Sequence, residues 1–389
     1  GKSVYEEGIQ IPIMKFAERG EVNKDLVKIL RLNVREPNQV VGDFFSLAAC
    51  NDVGHRRLVE MMLEIGLTSL TALGEFIFER TRSATLERIK LLPQGTWANE
   101  LVTDGYDEPV KLVATVEKRG DTVNVDFTGT DGVSRWGINV PLSYTKAYAC
   151  YALKCVIAPD IPNNWASLEP FTVSSPVNIL NAQRPSPVSL RHVFGHMVPD
   201  LVLGALAQGL PGKILSEGSG ALWNIYISAR PVGGQAGRKA EILMFNSGGM
   251  GARPELDGLS ATAFPSGVMT MPIEATEHTG PIVVWRKELR PDSGGDGEYR
   301  GGLGQIIEIG AIDGHEFDFS AMFDRINHPP RGRNGGQNGA AGRAQLDDGT
   351  EKRPKGCQPE PQPRQPGSHL PRGARYRVPA KRSAAAPPA

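Results

Sequence analysis

Between Asn23 and about Leu92 apolar residues return every three to four positions. Leu26, Ile29 and Leu30 share one face, and Leu58, Met61, Met62 and Ile65 share another, which is the period of a helix with one side turned to a core. Pro37 and Gly66 interrupt the pattern, so three helices are predicted. The last, from about residue 68 to 91, carries Arg80, Arg82, Glu87, Arg88 and Lys90 on a solvated face and ends at Pro93 and Gly95. After Gly95 the period falls to two. The stretch VKLVATVEKRGDTVNVDFTG alternates about Arg119, Gly120 and Asp121, a hairpin signal. Residues 141–157 keep small and apolar side chains on most faces and read as a buried helix. A second is predicted for DLVLGALAQGL, with Pro199 in its first turn and Asp200 at its positive end. Strands are expected at residues 221–228, 240–245, 282–289 and 304–312. The implied fold class is α+β: a helical N-terminal segment, residues 1–95, then a mixed α/β region, residues 96–346, with mainly antiparallel strands.

Past residue 347 the alternation stops. The ending is dense in Pro and Arg and nearly empty of large aliphatic residues. Such a segment buries too little apolar surface to offset the entropy of ordering, so residues 347–389 are expected to be a disordered, solvated tail. The whole chain of 389 residues has 40% hydrophobic residues and equal numbers of basic and acidic ones, 43 each. That balance supplies no electrostatic reason to bind nucleic acid or an anionic membrane. No apolar run approaches the ~20 residues of a membrane span, and GKSVYEEG contains no signal-peptide core. Cys50, Cys150, Cys155 and Cys357 lack the spacing of a zinc knuckle or a disulfide framework; Cys150 and Cys155 are expected in the core, and a reducing cytoplasm is the expected location.

Candidate chemistry begins at FNSGGMGARPELDGLSATAFPSG, where glycines alternate with polar residues directly after an apolar run. A phosphate loop would need a Lys and a hydroxyl at fixed offsets before a helix. Here Gly248, Gly249 and Gly251 lead instead to Pro254. Close backbone approach or an active-site wall both suit these glycines. His192, His196 and Asp200 stand four apart, the spacing that would place three metal ligands on one helical face. Gly195 and Pro199 are expected to interrupt that helix, leaving the histidines as polar packing before it. No Gly-x-Ser-x-Gly elbow occurs, and Cys50 has only His55 nearby, so nucleophilic catalysis is not indicated. Arg286, Arg290, Arg300, Arg325, Arg331 and Arg333 recur among late glycines. Their planar forks suit carboxylate or phosphate, and pairing with Glu288, Asp292, Asp296 or Asp324 is the plainer expectation.

Taken in order, YEEGIQIPIMKF, NVREPNQVVGDFFSLAACNDVGHRRL, VDFTGTDGVSRWGIN, PDLVLGALAQGLPG, GGMGARPELDGLSATAFPSG, WRKELRPDSGGDGEYRGGLGQ and MFDRINHPPRGRNGG resemble the hydantoinase B/oxoprolinase family. The resemblance spans roughly residues 4 to 349, and its specificity lies in the ordered set. Members of that family begin earlier, in a region with His and Asp residues associated with a divalent metal, so no metal ligand is carried over to this chain. They also end in a glycine-rich stretch; here LDDGTEKRPKG runs into the Pro/Arg-rich ending, which we expect to reflect a shift of reading frame.

The resemblance implies the beta subunit of an ATP-dependent hydrolase of a small cyclic amide such as hydantoin, N-methylhydantoin or 5-oxoproline. It implies a hetero-oligomer in which ATP and Mg are held by a hydantoinase A-like alpha subunit, with this chain inactive alone. The glycine segment then becomes part of the substrate-facing wall. The expected catalytic residues are Arg253 to hold an anion and Asp257 or Glu7 to orient water; the expected substrate-binding residues are Gly248, Gly249, Gly251, Ser260, Thr262 and Asn139. Two alternatives stay open: the beta subunit of an acetone or acetophenone carboxylase, and a subunit whose only competence is docking to alpha.

Overall fold

The helical period becomes three helices in the computed structural model, which describes residues 2–344 apart from Ala221, Gln235, Arg238, Ala263 and Met322. A short hairpin of β1 (Ala17–Glu18) and β2 (Glu21–Val22) leads into α1 (Lys24–Asn33), α2 (Pro37–Glu64) and α3 (Thr71–Lys90). Asn23 starts α1 by accepting the Leu26 amide at 3.0 Å, satisfying one donor of the open first turn. Leu26, Leu30 and Val41 form a small core with Phe16, Val27 and Phe44. Past Val41 the long helix is uncovered: Phe45, Leu47, Val53, Leu58 and Leu63 of α2 are exposed, as are Phe76, Ile77 and Phe78 of α3. The C-terminal half of α3 is anchored, with Thr81, Thr85 and Ile89 buried.

The period-two region forms β3 (Gly95–Thr103), β4 (Val110–Arg119) and β5 (Thr122–Asp126). Val110, Leu112, Ala114 and Val116 alternate inward from β4, as one-sided burial requires. The chain then crosses over through α4 (Leu142–Ile157) and α5 (Trp165–Leu168) to β6 (Phe171–Ser174). The sheet order is β3-β4-β5-β6, antiparallel except where β6 runs parallel to β5. After α6 (His192–Gly195), α7 (Val198–Gly209) is buried at every residue from Val198 to Leu206, the signature of a helix apolar all round. It packs between the sheet and α4, and this layer holds the main core.

A second core, with Ile227, Ile242, Met244, Ile282 and Phe323, forms around β7 (Trp223–Pro231) and β8 (Ala240–Asn246). Then come α8 (Ile273–Thr279), β9 (Ile282–Leu289), β10 (Gln305–Ala311) and β11 (His315–Ala321). Strands β11, β7 and β8 make an antiparallel sheet in that order, and β9 pairs with β10. The α+β class with mainly antiparallel strands therefore holds.

Some local expectations are corrected. Pro199 was expected to keep Val198 out of the helix, yet α7 begins at Val198, because a proline in the first turn removes no needed donor. His196 and Met197, between α6 and α7, also keep right-handed helical angles (φ −74° and −86°). Cys150 is buried as expected, but Cys155 is exposed; it lies one turn beyond Tyr151 on the open side of α4. No helix among the described residues is long and apolar enough to cross a membrane. The expected tail, residues 347–389, lies outside the described residues.

Candidate active site

The glycine-rich stretch folds as a wall of closely stacked backbones. Met250 donates to Leu259 O and receives Gly302 N–H on its own carbonyl, at 2.9 and 2.8 Å, while Ser219 N–H reaches Gly249 O at 2.9 Å. A Cβ on Gly249 would stand 1.9 Å from Gly302 O, and one on Gly251 would stand 2.0 Å from Ser216 O. No side chain fits there, so the glycines are required by close approach between loops distant in sequence. The segments 216–219, 248–251, 258–262 and 300–304 thus form one layer.

Against it opens a cleft of about 340 Å³, lined among others by Gly251, Arg253, Tyr299, Arg331 and Arg333, with Glu217 on its lining. That volume falls in the range of small-ligand pockets. A chain of buried charge lies beneath. Arg325 bridges Asp200 and Glu217, at 3.1 Å to each, with all three side chains at most 6% exposed. Glu217 also accepts Arg331 Nε at 2.7 Å and the Arg331 amide at 3.1 Å. Arg333 donates to Leu215 O at 2.9 Å. Burial pushes the Asp200 carboxyl up to about 6 against the pull of Arg325. Glu217 is also desolvated, but Arg325 and Arg331 together hold it below its ordinary value.

Three guanidiniums, Arg325, Arg331 and Arg333, therefore face two carboxylates. The floor keeps a positive surplus, which grows when Asp200 takes its proton. Glu255, Asp296 and Glu298 also line the cleft; like Arg331 they are exposed, so water screens all four charges. Arg253 makes no ion pair among the described residues; its Nε donates to Asp257 O at 2.9 Å. Arg253, Arg331 and Arg333 are the groups of this cleft whose chemistry suits an anion.

Of the expected site residues, Gly251 and Arg253 line the cleft. Asp257 stands just behind Arg253, its Oδ1 accepting the Arg300 amide at 2.8 Å. Gly248, Gly249, Ser260 and Thr262 belong to the stacked layer: Thr262 N–H donates to Gly248 O, and Ser260 Oγ accepts Leu303 N–H. Glu7 and Asn139 sit elsewhere, together. Glu7 accepts the amides of Val188 and Ser189 at 2.7 and 2.8 Å, and the fully buried Asn139 amide donates to Ser134, Trp136 and Pro187 carbonyls. Both tie the N-terminal segment and residues 134–139 to the 187–189 loop. Sequence reading missed Glu217 and the partnership of Asp200 with Arg325. Arg286 does pair with Glu288 as expected, whereas Arg300 pairs with Asp257, which was not among the expected partners.

His192 and His196 come close, with ring centroids 5.9 Å apart, while Asp200 turns away to Arg325. Among the described residues no group of three or more His, Cys, Asp or Glu side chains is placed to hold a metal ion.

The hydantoinase B/oxoprolinase family model matches residues 1–380. The chain belongs to the hydantoinase B/oxoprolinase family. A relative from Pseudomonas sp. (strain NS671), named as the B component of a D-/L-hydantoinase, is 31% identical over 362 residues, 88% of this chain and 60% of its own length. The caprolactamase beta subunit of Pseudomonas jessenii is 24% identical, over 79% of this chain and 54% of the relative. The fold is shared with the crystal structure of ATP-dependent caprolactamase from Pseudomonas jessenii (TM-score 0.73, 23% identity, 82% of this chain and 56% of that one). It is shared equally with nucleotide-free acetone carboxylase (TM-score 0.73, 17% identity, 87% and 48%). The chain thus spans about half to three fifths of the length of these similar proteins. Because one fold carries both an amide hydrolase and a carboxylase, the fold alone does not choose the reaction.

Proposed function

We propose that this hydantoinase B chain is the beta-type subunit of an ATP-dependent cyclic amide hydrolase, acting in the cytoplasm with an alpha-type partner that binds ATP and Mg. The observation that carries the reading is the cationic cleft floor within a hydantoinase B fold. The partner is supported by the names of the relatives, which describe them as components of larger enzymes, and by the uncovered apolar side chains of α2 and α3.

Opening an unstrained cyclic amide is slow because resonance weakens the carbonyl as an electrophile. A phosphoryl group transferred from ATP to the amide oxygen turns that oxygen into part of a leaving group and exposes the carbon to water. Water adds, the ring C–N bond breaks with a proton passing to nitrogen, and hydrolysis releases phosphate. In sum, amide, ATP and two waters give the ring-opened amino acid, ADP and phosphate. The chain's share is to hold the developing anion: Arg253 and Arg331 supply guanidinium donors, Arg333 supplies positive potential from the floor, and the Gly251 backbone lets the wall approach closely. Asp257 holds the Arg253 loop in place through Arg300.

The test is to copurify the chain with an ATP-binding partner and measure ADP and ring-opened product from hydantoin, 5-oxoproline and larger lactams. Matched appearance of both, without bicarbonate, is expected. Turnover of a ketone that requires bicarbonate would favour the carboxylase reading, which the second structural likeness keeps in play. Absence of any turnover in the assembled complex would leave the docking role alone.

A further inference from the structure

We infer that Asp104 is a positioning residue for the cleft: from the β3–β4 connection it grips the start of the 324–342 loop and so sets where Arg331 and Arg333 stand. The inference rests on the cationic-cleft reading of the site. The Asp104 side chain is 8% exposed. Its Oδ2 accepts the Ile326 amide at 2.6 Å, and its Oδ1 accepts the Asn327 amide at 2.9 Å and His328 Nδ1 at 2.8 Å. Its own amide donates to Asp324 Oδ1 at 3.3 Å, an oxygen that also takes the Arg325 amide at 2.7 Å. Two carboxylates thus clasp the two backbones, one from each side.

The gripped loop carries three cations of the cleft and its floor. Arg325 precedes the anchored residues and bridges Asp200 and Glu217. Pro329 and Pro330 follow them, and their fixed φ carries the register stiffly to Arg331, whose guanidinium and amide both reach Glu217. Pro330 O accepts the Gly339 amide and Arg325 O the Gly342 amide, each at 2.9 Å. These bonds close the loop, and Gly332, Arg333 and Asn334 at its tip line the cleft. The platform beneath is fixed too. Gly105 turns at φ +64°, where a Cβ would stand 2.0 Å from Glu108 O, and Asp107 accepts Trp136 Nε1 at 2.6 Å and Arg135 Nε at 3.0 Å.

A carboxylate at this position has an electrostatic cost. Repulsion from Asp104 adds to the burial that raises Asp324, and the negative charge sits on the loop that carries the arginines. What it supplies is two acceptor oxygens for three donors. Asparagine would relieve the repulsion, but it offers one oxygen and turns an N–H toward the remaining donor.

The test titrates the full chain with inorganic phosphate at fixed ionic strength, followed by phosphorus NMR, for the wild type, Asp104→Asn and Arg253→Ala. Coulomb's law alone makes removal of a negative charge tighten anion binding or leave it unchanged, so weaker binding reports displaced arginines. Expected are saturable binding by the wild type, a dissociation constant raised about tenfold or more by Asp104→Asn, and weaker binding by Arg253→Ala. The dissociation constant belongs to the folded molecules, so a variant that folds in lower yield still reports it. Binding by Asp104→Asn as tight as the wild type's, or tighter, would overturn the positioning role alone. No saturable binding by the wild type, or binding indifferent to Arg253→Ala, would overturn it together with the cationic-cleft reading.

Discussion

Replacing Arg325 by methionine removes the cation shared by Asp200 and Glu217 while keeping an unbranched apolar stem. The three side chains are 6%, 3% and 1% exposed, so water cannot take over the lost contacts. At an effective dielectric of about 20, each ion pair at this range is worth on the order of 4 kcal/mol before desolvation is counted. Deleting one partner of such a buried set costs about 3–5 kcal/mol. Glu217 retains Arg331, so Asp200 bears most of the loss. Asp200 can escape by taking a proton, at about 1.4 kcal/mol per pH unit above its ordinary 3.8. That route costs about 6 kcal/mol at pH 8 but under 2 at pH 5. Urea unfolding followed by tryptophan fluorescence should therefore show a loss of about 3–5 kcal/mol at pH 8 that shrinks below about 2 at pH 5. Adding Asp200→Asn should recover at least about 1 kcal/mol at pH 8. A loss under about 1 kcal/mol at pH 8, or one independent of pH, would refute the buried-charge reasoning.

Gly251→Ala and Gly249→Ala should each lower stability by about 1–3 kcal/mol or more, because each methyl would meet a backbone carbonyl at 2.0 or 1.9 Å. Gly42→Ala, on α2 with nothing within 4 Å, should instead stabilise by up to about 1 kcal/mol; thermal melts compare the three. His196 has a folded value of about 4 against 6.5 unfolded, so its neutral burial stabilises fully above pH 6.5 and is lost as pH falls toward 4. His196→Phe should flatten that acid limb in a pH series of unfolding curves. Asp324 is shifted the other way: burial, reinforced by Asp104, raises it from 3.8 to about 6. Its contribution is present below pH 3.8 and lost as pH rises through 6, so Asp324→Asn should stabilise at pH 8 and change little at pH 4.

Elements that announce themselves by local period were legible. The three N-terminal helices, the β4–β5 hairpin, and α4, α7 and β9 all follow from spacing and breakers within a dozen residues. Helix α8 and strand β11 were not, because HEFDFSA is only half-buried and mixes charge into its alternation. Pro199 misled in the opposite direction, since the rule about prolines weighs less at a helix start than in its interior.

The site was less legible for a related reason. Gly251 and Arg253 could be nominated because glycine and arginine carry their chemistry wherever they stand. Glu217 is one acid in LSEGSG with no local partner, and its arginines lie 108 and 114 positions away. Asp200 read as a helix-dipole residue and is also half of an ion pair to a residue 125 positions away. Such pairings are properties of the folded topology. Glu7 and Asn139 drew notice only through the family resemblance; in the fold their polar atoms are spent on backbone groups.

The most direct measurement is ATP-dependent ring opening by the copurified complex carrying Arg253→Ala, a wall residue outside the buried charge chain. The account predicts kcat/KM reduced by about 100-fold or more, with complex assembly and melting temperature held. Unchanged kcat/KM in a fully assembled complex would contradict the claim that this cleft is where the amide is opened.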